Sequence, residues 1–579
     1  MKTSDRLSLI AIVVTGLALG LTGIGWGLPS ARRVALLGES LTKVRAELSA
    51  RTSRELESRR GHAAILAARP AEEQPDLPRL VRRYLLFSDS PDEPLTLMAL
   101  ANMRPRQFDF NPRMVEYGGL HVYGTGAAIT LAHVFGFGRI TGDVTHYADH
   151  PEHIAGLYFA GRLLMVFYNI GIAVLLFYFA GAIGSSTPQS AIRNPQLLCG
   201  VAAALMWLLS SPSLAFSHVI NPHLPAAFYA TLAVWLSWRA AGALDLRCWL
   251  GAAAACGAAA ACALNAALSF LMLPLMALFV AHASAKDRPK LEPERSDGWR
   301  AGSSLFARLC AASARPVGLA ALMATAFYLA LNPYSWANLD VLREELARFR
   351  QFRSPLLGAE NLILFCAGPM SHAIGLAGLA ASLFGAVTLW RASAAGRALA
   401  SYAAAMLLLS AWLAGSDAGE ALSVRFALAA LPLLCAFVAA ALAGSWPRWA
   451  RGWAAALVAM GCVAATVVYL ASFTRSPRDD AGGFINRELP AGCLLAAPKS
   501  PGPYEMPAFD FSRMRLITDA KTPREFAVKV EDHSRPATPA GSELMAQFPD
   551  MREQSLPPTP LSFSGRFARA YRQQVPRGK

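Results

Sequence analysis

Long stretches of this chain run without a single Asp, Glu, Lys or Arg, among them Leu7 to Ala31, Leu163 to Ile192, Asn194 to Trp238, Cys248 to Ala285, Pro316 to Leu339, Asn361 to Trp390, Ala398 to Ser416, Phe426 to Pro447 and Gly452 to Thr474. A crossing helix needs about 20 predominantly apolar residues, and lipid tolerates no unpaired backbone groups. The longer runs therefore hold two crossings, or one crossing and a surface segment. Within them, the Asn194 to Trp238 run breaks at SHVINPHLP (Ser217 to Pro225) and the Cys248 to Ala285 run pivots at Asn265.

Basic residues between the runs predict orientation. Lys2 and Arg6 precede the first run, whose length and lack of a small-residue cleavage site favour a retained span with a cytoplasmic N-terminus. The loop from Ala283 to Arg315 carries Lys286, Arg288, Lys290, Arg295, Arg300, Arg308 and Arg315 and is expected in the cytoplasm, as are the turns at Arg391 with Arg397 and Arg448 with Arg451. These anchors agree only if Tyr117 to Gly138 does not cross. That segment, YGGLHVYGTGAAITLAHVFGFG, is dense in glycine and holds His121 and His133, which suits a re-entrant or surface-lying helix.

The expected fold class is an α-helical polytopic membrane protein of about eleven transmembrane helices, near residues 8–28, 155–180, 197–216, 225–241, 249–264, 266–282, 316–331, 370–390, 398–415, 425–444 and 453–472. Its organisation reads as a first transmembrane helix (1–28), a long external loop with surface helices and an acidic motif (29–153), a helical bundle (154–472) and an extracytoplasmic C-terminal region (473–579). In that last region GGFINREL reads as an amphipathic helix and CLLAAP and MRLI as strands, which predicts a small α/β domain. The final stretch, SFSGRFARAYRQQVPRGK, is basic and expected to be mobile.

Composition agrees: 54% hydrophobic and 16% charged residues exceed what a soluble domain buries. The net charge of +15 would suit nucleic acid in a soluble protein. Here no basic stripe interleaves with aromatics, so the charge is assigned to cytoplasmic loops and anionic membrane lipids, with no nucleic-acid partner. Of the nine cysteines, Cys199, Cys248, Cys256, Cys262, Cys366, Cys435 and Cys462 lie in or beside predicted spans, Cys310 in a loop and Cys493 in the tail. Neither a disulfide framework nor metal-ligand spacing is present among them.

Candidate chemistry concentrates in the external loop. Asp92 and Glu93 stand at a proline-flanked break before LTLMALANM, an expected helix. Two readings are open: capping of the helix N-terminus, or a carboxylate at the water–membrane boundary acting as general base or metal ligand. Arg162 and Arg425 fall near the outer ends of their spans, against the charge rule, and read either as phosphate-binding forks or as snorkelling side chains. Farther along the loop, TGDVTHYADHPEH gathers His146, His150 and His153 with Asp143 and Asp149. A helical course would bring His150 and His153 to one face as a metal site, whereas Pro151 favours a solvated loop. Tyr334 and Trp336 read as interfacial anchors or substrate contacts.

The order of these elements resembles the GT-C superfamily of membrane glycosyltransferases, in particular the family 39 group that includes protein O-mannosyltransferases and lipid A aminoarabinose transferases. The residues carrying the resemblance are Asp92-Glu93, Tyr117-Gly118-Gly119-Leu120, Gly161-Arg162-Leu163-Leu164, SPSLAFSH (Ser211 to His218), LNPYSWANLD (Leu331 to Asp340), RFALAALP (Arg425 to Pro432) and FINRELPAGCLLAAP in the tail.

The resemblance implies transfer of a sugar from a polyprenyl-phosphate-linked donor to a lipid, glycan or protein acceptor on the outer side of a bacterial inner membrane. It implies Asp92 as the base, Glu93 orienting it or sharing a divalent metal, and Arg162 and Arg425 on the donor phosphate. Tyr117, His121, His218, His223 and Tyr334 are expected substrate or metal contacts. Two departures stand out. His223 in NPHLP occupies a position where relatives often carry aspartate, and no lysine stands near Ala263. An inactive scaffold of the same fold is therefore the alternative. A transporter is disfavoured because no internal repeat is present.

Overall fold

The computed structural model describes residues 3–50, 76–114, 117–185, 194–243, 245–286, 298–335, 337–341, 343, 344, 347, 359–415, 421–444, 448–471, 473, 477–497, 501–517, 526–531, 542–548 and 567–573. Trp336 lies outside them, as do residues 287–297 of the basic loop expected in the cytoplasm, whose later part is helical from Gly298.

The first part of the chain, with the loop expected outside, contains α1 (Thr3–Leu21), α2 (Ala31–Leu36), α3 (Gly38–Ala50), α4 (Leu77–Leu86), α5 (Glu93–Ala101), α6 (Gly119–Val134) and α7 (Val144–Asp149). The apolar bundle continues with α8 (Pro151–Ser185), α9 (Pro195–Leu208), α10 (Ser211–Ser217), α11 (His223–Ala243), α12 (Leu246–Cys262), α13 (Met272–Lys286) and α14 (Gly298–Leu331). Then follow α15 (Ala359–Phe365), α16 (Ser371–Ala392), α17 (Ala394–Ala414), α18 (Leu431–Ala443), α19 (Arg448–Ala471) and α20 (Pro477–Glu488).

Each of the eleven expected segments overlaps a helix in part. Among the described residues, five helical stretches, Thr3–Leu21, Pro151–Ser185, Glu360–Ala392, Ala394–Ala414 and Trp449–Ala471, are long and apolar enough to cross a membrane, and α9 with α10 makes a sixth if their 57° bend is one broken span. The shortfall against eleven has local causes. α12 has 17 residues and α18 has 13, and 3-10 turns at Leu264–Leu271 and Ala421–Ala427 replace the first turns expected of two spans. The first span also ends early, at Leu21, because Gly23 and Gly27 turn the chain at φ +81° and +68°.

Caps explain where several helices start. Asn194 and Ser210 accept from the backbone N–H of Leu197 and Ser213, and prolines follow in each first turn. The Glu360–Ala392 stretch is interrupted by a π turn at Cys366–Met370 containing Pro369, and by Gly375 at φ +73°. Segment Tyr117 to Gly138 forms α6, packed against α5, α8 and α12, and it is not among the helices with the length and composition to cross. Leu131, Val134, Phe135 and Phe137 at its end are exposed.

Five strands follow α20: β1 (Leu494–Ala496), β2 (Arg515–Ile517), β3 (Phe526–Glu531), β4 (Ser542–Phe548) and β5 (Phe567–Gln573), in the order β2-β1-β3-β5-β4. β1 runs parallel to β2 and β3, whereas β5 pairs antiparallel with β3 and β4. The expected mobile tail is thus corrected over 567–573: its backbone is paired on both edges. The rest of that stretch lies outside the described residues.

One apolar core joins the external loop to the C-terminal region. Leu37 and Val44 of α2–α3, Val81, Tyr84 and Leu85 of α4, and Val144 of α7 are buried against Ile485, Leu495, Phe509 and Phe511. Loop and tail therefore lie on the same side of the bundle. Polar clamps reinforce the joint. Buried Asp89 sits 2.6 Å from Arg33 and 3.0 Å from Arg478, and Asp510 accepts from the Ser40 hydroxyl at 2.5 Å and from the Ser40 and Glu39 N–H groups.

Candidate active site

Asp92 takes the N-cap position of α5, and Pro94 occupies the first turn. Its side chain makes no capping hydrogen bond. The residue lines an open cavity of about 1340 Å³. Leu95, Leu97, Met98, Leu100, Ile129 and Leu157 form apolar walls, and Arg79, Arg82 and Arg83 of α4 supply positive charge on the same surface. Tyr504 comes from the C-terminal region, and Tyr123 and Tyr334 from α6 and the segment after α14. Burial first, and then the neighbouring Tyr334, push the Tyr123 phenol up to about 12, so it remains a hydrogen-bond donor at neutral pH.

Behind Asp92, Glu93 is fully buried. Arg162 Nε and an Arg162 terminal nitrogen each donate to it at 2.7 Å, the Ser88 hydroxyl at 2.5 Å and the Ile220 N–H at 3.0 Å. The remaining Arg162 nitrogen donates to the carbonyls of Ile24 and Trp26, both at 2.7 Å. This geometry corrects the expectation for Arg162. Its donors are engaged inside the protein and it does not line the cavity, so no part of the fork is presented to a donor phosphate.

The same bonds decide a shared metal at Asp92 and Glu93. Both Glu93 oxygens already accept from a guanidinium, and a cation there would face Arg162 directly. The residues present do not fit a metal at this pair.

His218 is likewise engaged elsewhere. It lies 3.1 Å from the Tyr469 hydroxyl and 3.0 Å from the Gly20 carbonyl, stacked on Tyr469, and this joins α10 to α1 and α19. His223 opens α11, its ring 6.0 Å from that of Phe216. His121 bonds Thr96 Oγ1 at 3.1 Å and leaves Nδ1, like the Thr125 hydroxyl, without a hydrogen-bond partner. Burial drives the His121 imidazole down to about 3, so it is neutral at physiological pH. Arg425 lies over the Phe426 ring at 5.0 Å.

The Tyr-Gly-Gly element is explained by close packing. A Cβ on Gly118 would overlap the Ala261 carbonyl, and the Gly118 N–H donates to Cys262 O at 2.9 Å. Gly119 N–H donates to Asn332 of LNPYSWANLD, which fixes that segment beside Tyr117. Tyr117 and Tyr334 line a small neighbouring pocket, and Tyr334 faces the large cavity as well.

Sequence reasoning missed Arg79, Arg82 and Arg83. Their signal was present in LPRLVRRYLL, where positions i, i+3 and i+4 place three arginines on one face of a strongly amphipathic helix. Asp89 was also missed. Nothing local announces partners 56 residues before it and in the C-terminal region.

No family model and no curated protein matches this chain. Among solved structures it is similar to the archaeal oligosaccharyltransferase AglB from Archaeoglobus fulgidus in complex with an inhibitory peptide and a dolichol-phosphate, at TM-score 0.40 and 13% identity over 86% of this chain and 62% of that one. It is also similar to the apo form of the Archaeoglobus fulgidus oligosaccharyltransferase, at TM-score 0.37 and 14% identity over 72% and 62%, and to the form tethered to an acceptor peptide, at 0.36 and 14% over 70% and 56%. This chain spans 56 to 62% of the length of those structures.

Proposed function

We propose that this protein is an integral membrane glycosyltransferase that moves a sugar from a polyprenyl-phosphate-linked donor to an acceptor, with Asp92 as general base. The observation that carries this reading is the cavity itself. It combines a carboxylate, three arginines on one helix face and extended apolar walls. A lipid-linked phosphosugar has the matching parts: an apolar chain, an anionic phosphate and an electrophilic anomeric carbon.

In the proposed step the acceptor hydroxyl oxygen attacks the anomeric carbon from the face opposite the phosphate, and its proton passes to the Asp92 carboxylate. The anomeric C–O bond to phosphate breaks, and its electron pair leaves on the polyprenyl phosphate, whose charge Arg79, Arg82 and Arg83 offset. Glu93 positions α5 through Arg162. His223, His121 and Arg425 contribute further polar groups, and Tyr117 and Tyr334 border the acceptor side.

The topology proposed with this chemistry has eleven crossings, a cytoplasmic N-terminus, and loop and tail together on the extracytoplasmic face. The shared core of loop and tail supports placing them on one side.

Membranes containing the full chain, supplied with polyprenyl-phosphate-linked sugars, test the reading. Transfer from such a donor, absent with the corresponding nucleotide sugar, is expected. No transfer from any lipid-linked donor would favour the inactive scaffold, the reading that His223 in place of an acid motivates.

A further inference from the structure

The junction between α7 and α8 gathers three imidazoles and a carboxylate that the proposed transfer does not use. His146 lies in α7, His150 is the residue that ends it, and Glu152 and His153 stand in the first turn of α8, which Pro151 opens. The segment is helical on both sides of His150, in place of the solvated loop that the proline suggested. The three rings lie 5.0 to 5.3 Å apart by centroid, and those of His146 and His153 are within 9° of parallel. One ligand atom each from His150, Glu152 and His153 falls within 4.8 Å of the others. His146 Nε2 is 2.8 Å from His153 Nδ1, and His150 Nδ1 is 3.1 Å from Glu152 Oε1.

The neighbouring carboxylates are committed elsewhere. Asp149 is held by Arg45 at 2.5 and 2.7 Å, and Asp143 accepts from the Thr145 N–H and hydroxyl. The three imidazoles thus bring ligand nitrogens to one spot beside the Glu152 carboxylate.

We propose that His150, Glu152 and His153 bind one divalent transition metal of the zinc class, with His146 as the hydrogen-bonding partner that orients the His153 ring. When His153 Nδ1–H donates to His146, its Nε2 is the ligand nitrogen, an arrangement common in zinc sites. Two imidazoles and a carboxylate suit zinc in preference to calcium or magnesium, with water completing a tetrahedron. His150 and Glu152 are exposed, so their side chains are able to close onto a metal about 2.0–2.1 Å away.

The site sits where it can act on the cavity. Val144 and Tyr147 on one side of the junction, and Ile154 and Leu157 on the other, line the cavity wall. A bound ion would fix the angle between the two wall elements.

Competition for zinc between the purified full chain and a chromophoric chelator tests this, and it needs no transfer activity. One tight zinc equivalent is expected for the wild type, weakened at least 100-fold in His150→Ala/His153→Ala and at least 10-fold in Glu152→Gln. His133→Ala, which alters an exposed histidine of α6, should bind like the wild type. X-ray absorption of the zinc-loaded protein should show imidazole nitrogens and oxygen at about 2.0–2.1 Å and no sulfur. Equal binding by wild type and the double variant, no tight equivalent in the wild type, or sulfur ligation would overturn the proposal.

Discussion

Arg162 and Glu93, 69 residues apart, form a two-pronged buried ion pair in which both nitrogen–oxygen distances are 2.7 Å, and this pair anchors the helix that carries Asp92. Removing one partner leaves the other charge buried and unpaired, which costs about 3–5 kcal/mol, whereas removing both costs much less. Arg162→Met alone should lower the thermal unfolding midpoint in detergent by more than Arg162→Met with Glu93→Gln. If the double variant is the less stable of the two, the pair is not the anchor described here.

Asp89 makes a second prediction, about docking. It lies between Arg33 and Arg478, all three nearly excluded from solvent, and it joins the start of the external loop to α20. Asp89→Asn should weaken that joint by about 3 kcal/mol and speed proteolytic release of the C-terminal region, with the apolar bundle left intact. Unchanged cleavage would show that the apolar core alone holds the tail.

Acid should loosen the same joint through Asp510. Burial works to raise its pKa, but hydrogen bonds from Ser40, from Ser512 and from the backbone of Glu39 outweigh this and hold the carboxyl below its usual range. A depressed folded-state pKa contributes stability that is present above the unfolded value of about 3.9 and is lost as pH falls through the folded one. Unfolding midpoints of the wild type should therefore drop on acidification below about pH 4, and Asp510→Asn should show a shallower drop in that window.

Much of this was legible in the sequence, for physical reasons. Apolar runs such as Leu163 to Ile192 announce helix because lipid or a packed bundle allows nothing else. The partner of Glu93 was not legible, because an ion pair across 69 residues leaves no periodic signature. Both arginines expected on phosphate drew notice for standing at outer span ends. For Arg162 the structure gives that position a different cause, the need to neutralise Glu93. Strand β5 was overlooked because its basic composition outweighed the alternation in FARAYRQ, and its pairing with β3 and β4 depends on residues distant in sequence.

The arginines of α4 carry a prediction about donor binding. If Arg79, Arg82 and Arg83 hold the donor phosphate, each loses a charge-assisted hydrogen bond on truncation, about 1.5–3 kcal/mol. Arg82→Ala should raise the KM for the lipid-linked donor about 10-fold to 100-fold and leave the acceptor KM nearly unchanged. A change confined to the acceptor would place these residues on the other substrate.

Whether Asp92 takes the acceptor proton is read from the single-turnover rate of sugar transfer from a polyprenyl-phosphate-linked donor by wild type and Asp92→Asn at saturating substrates. A fall of about 10²–10⁴-fold is expected, with donor binding retained. Equal rates in the two proteins would contradict Asp92 as the base.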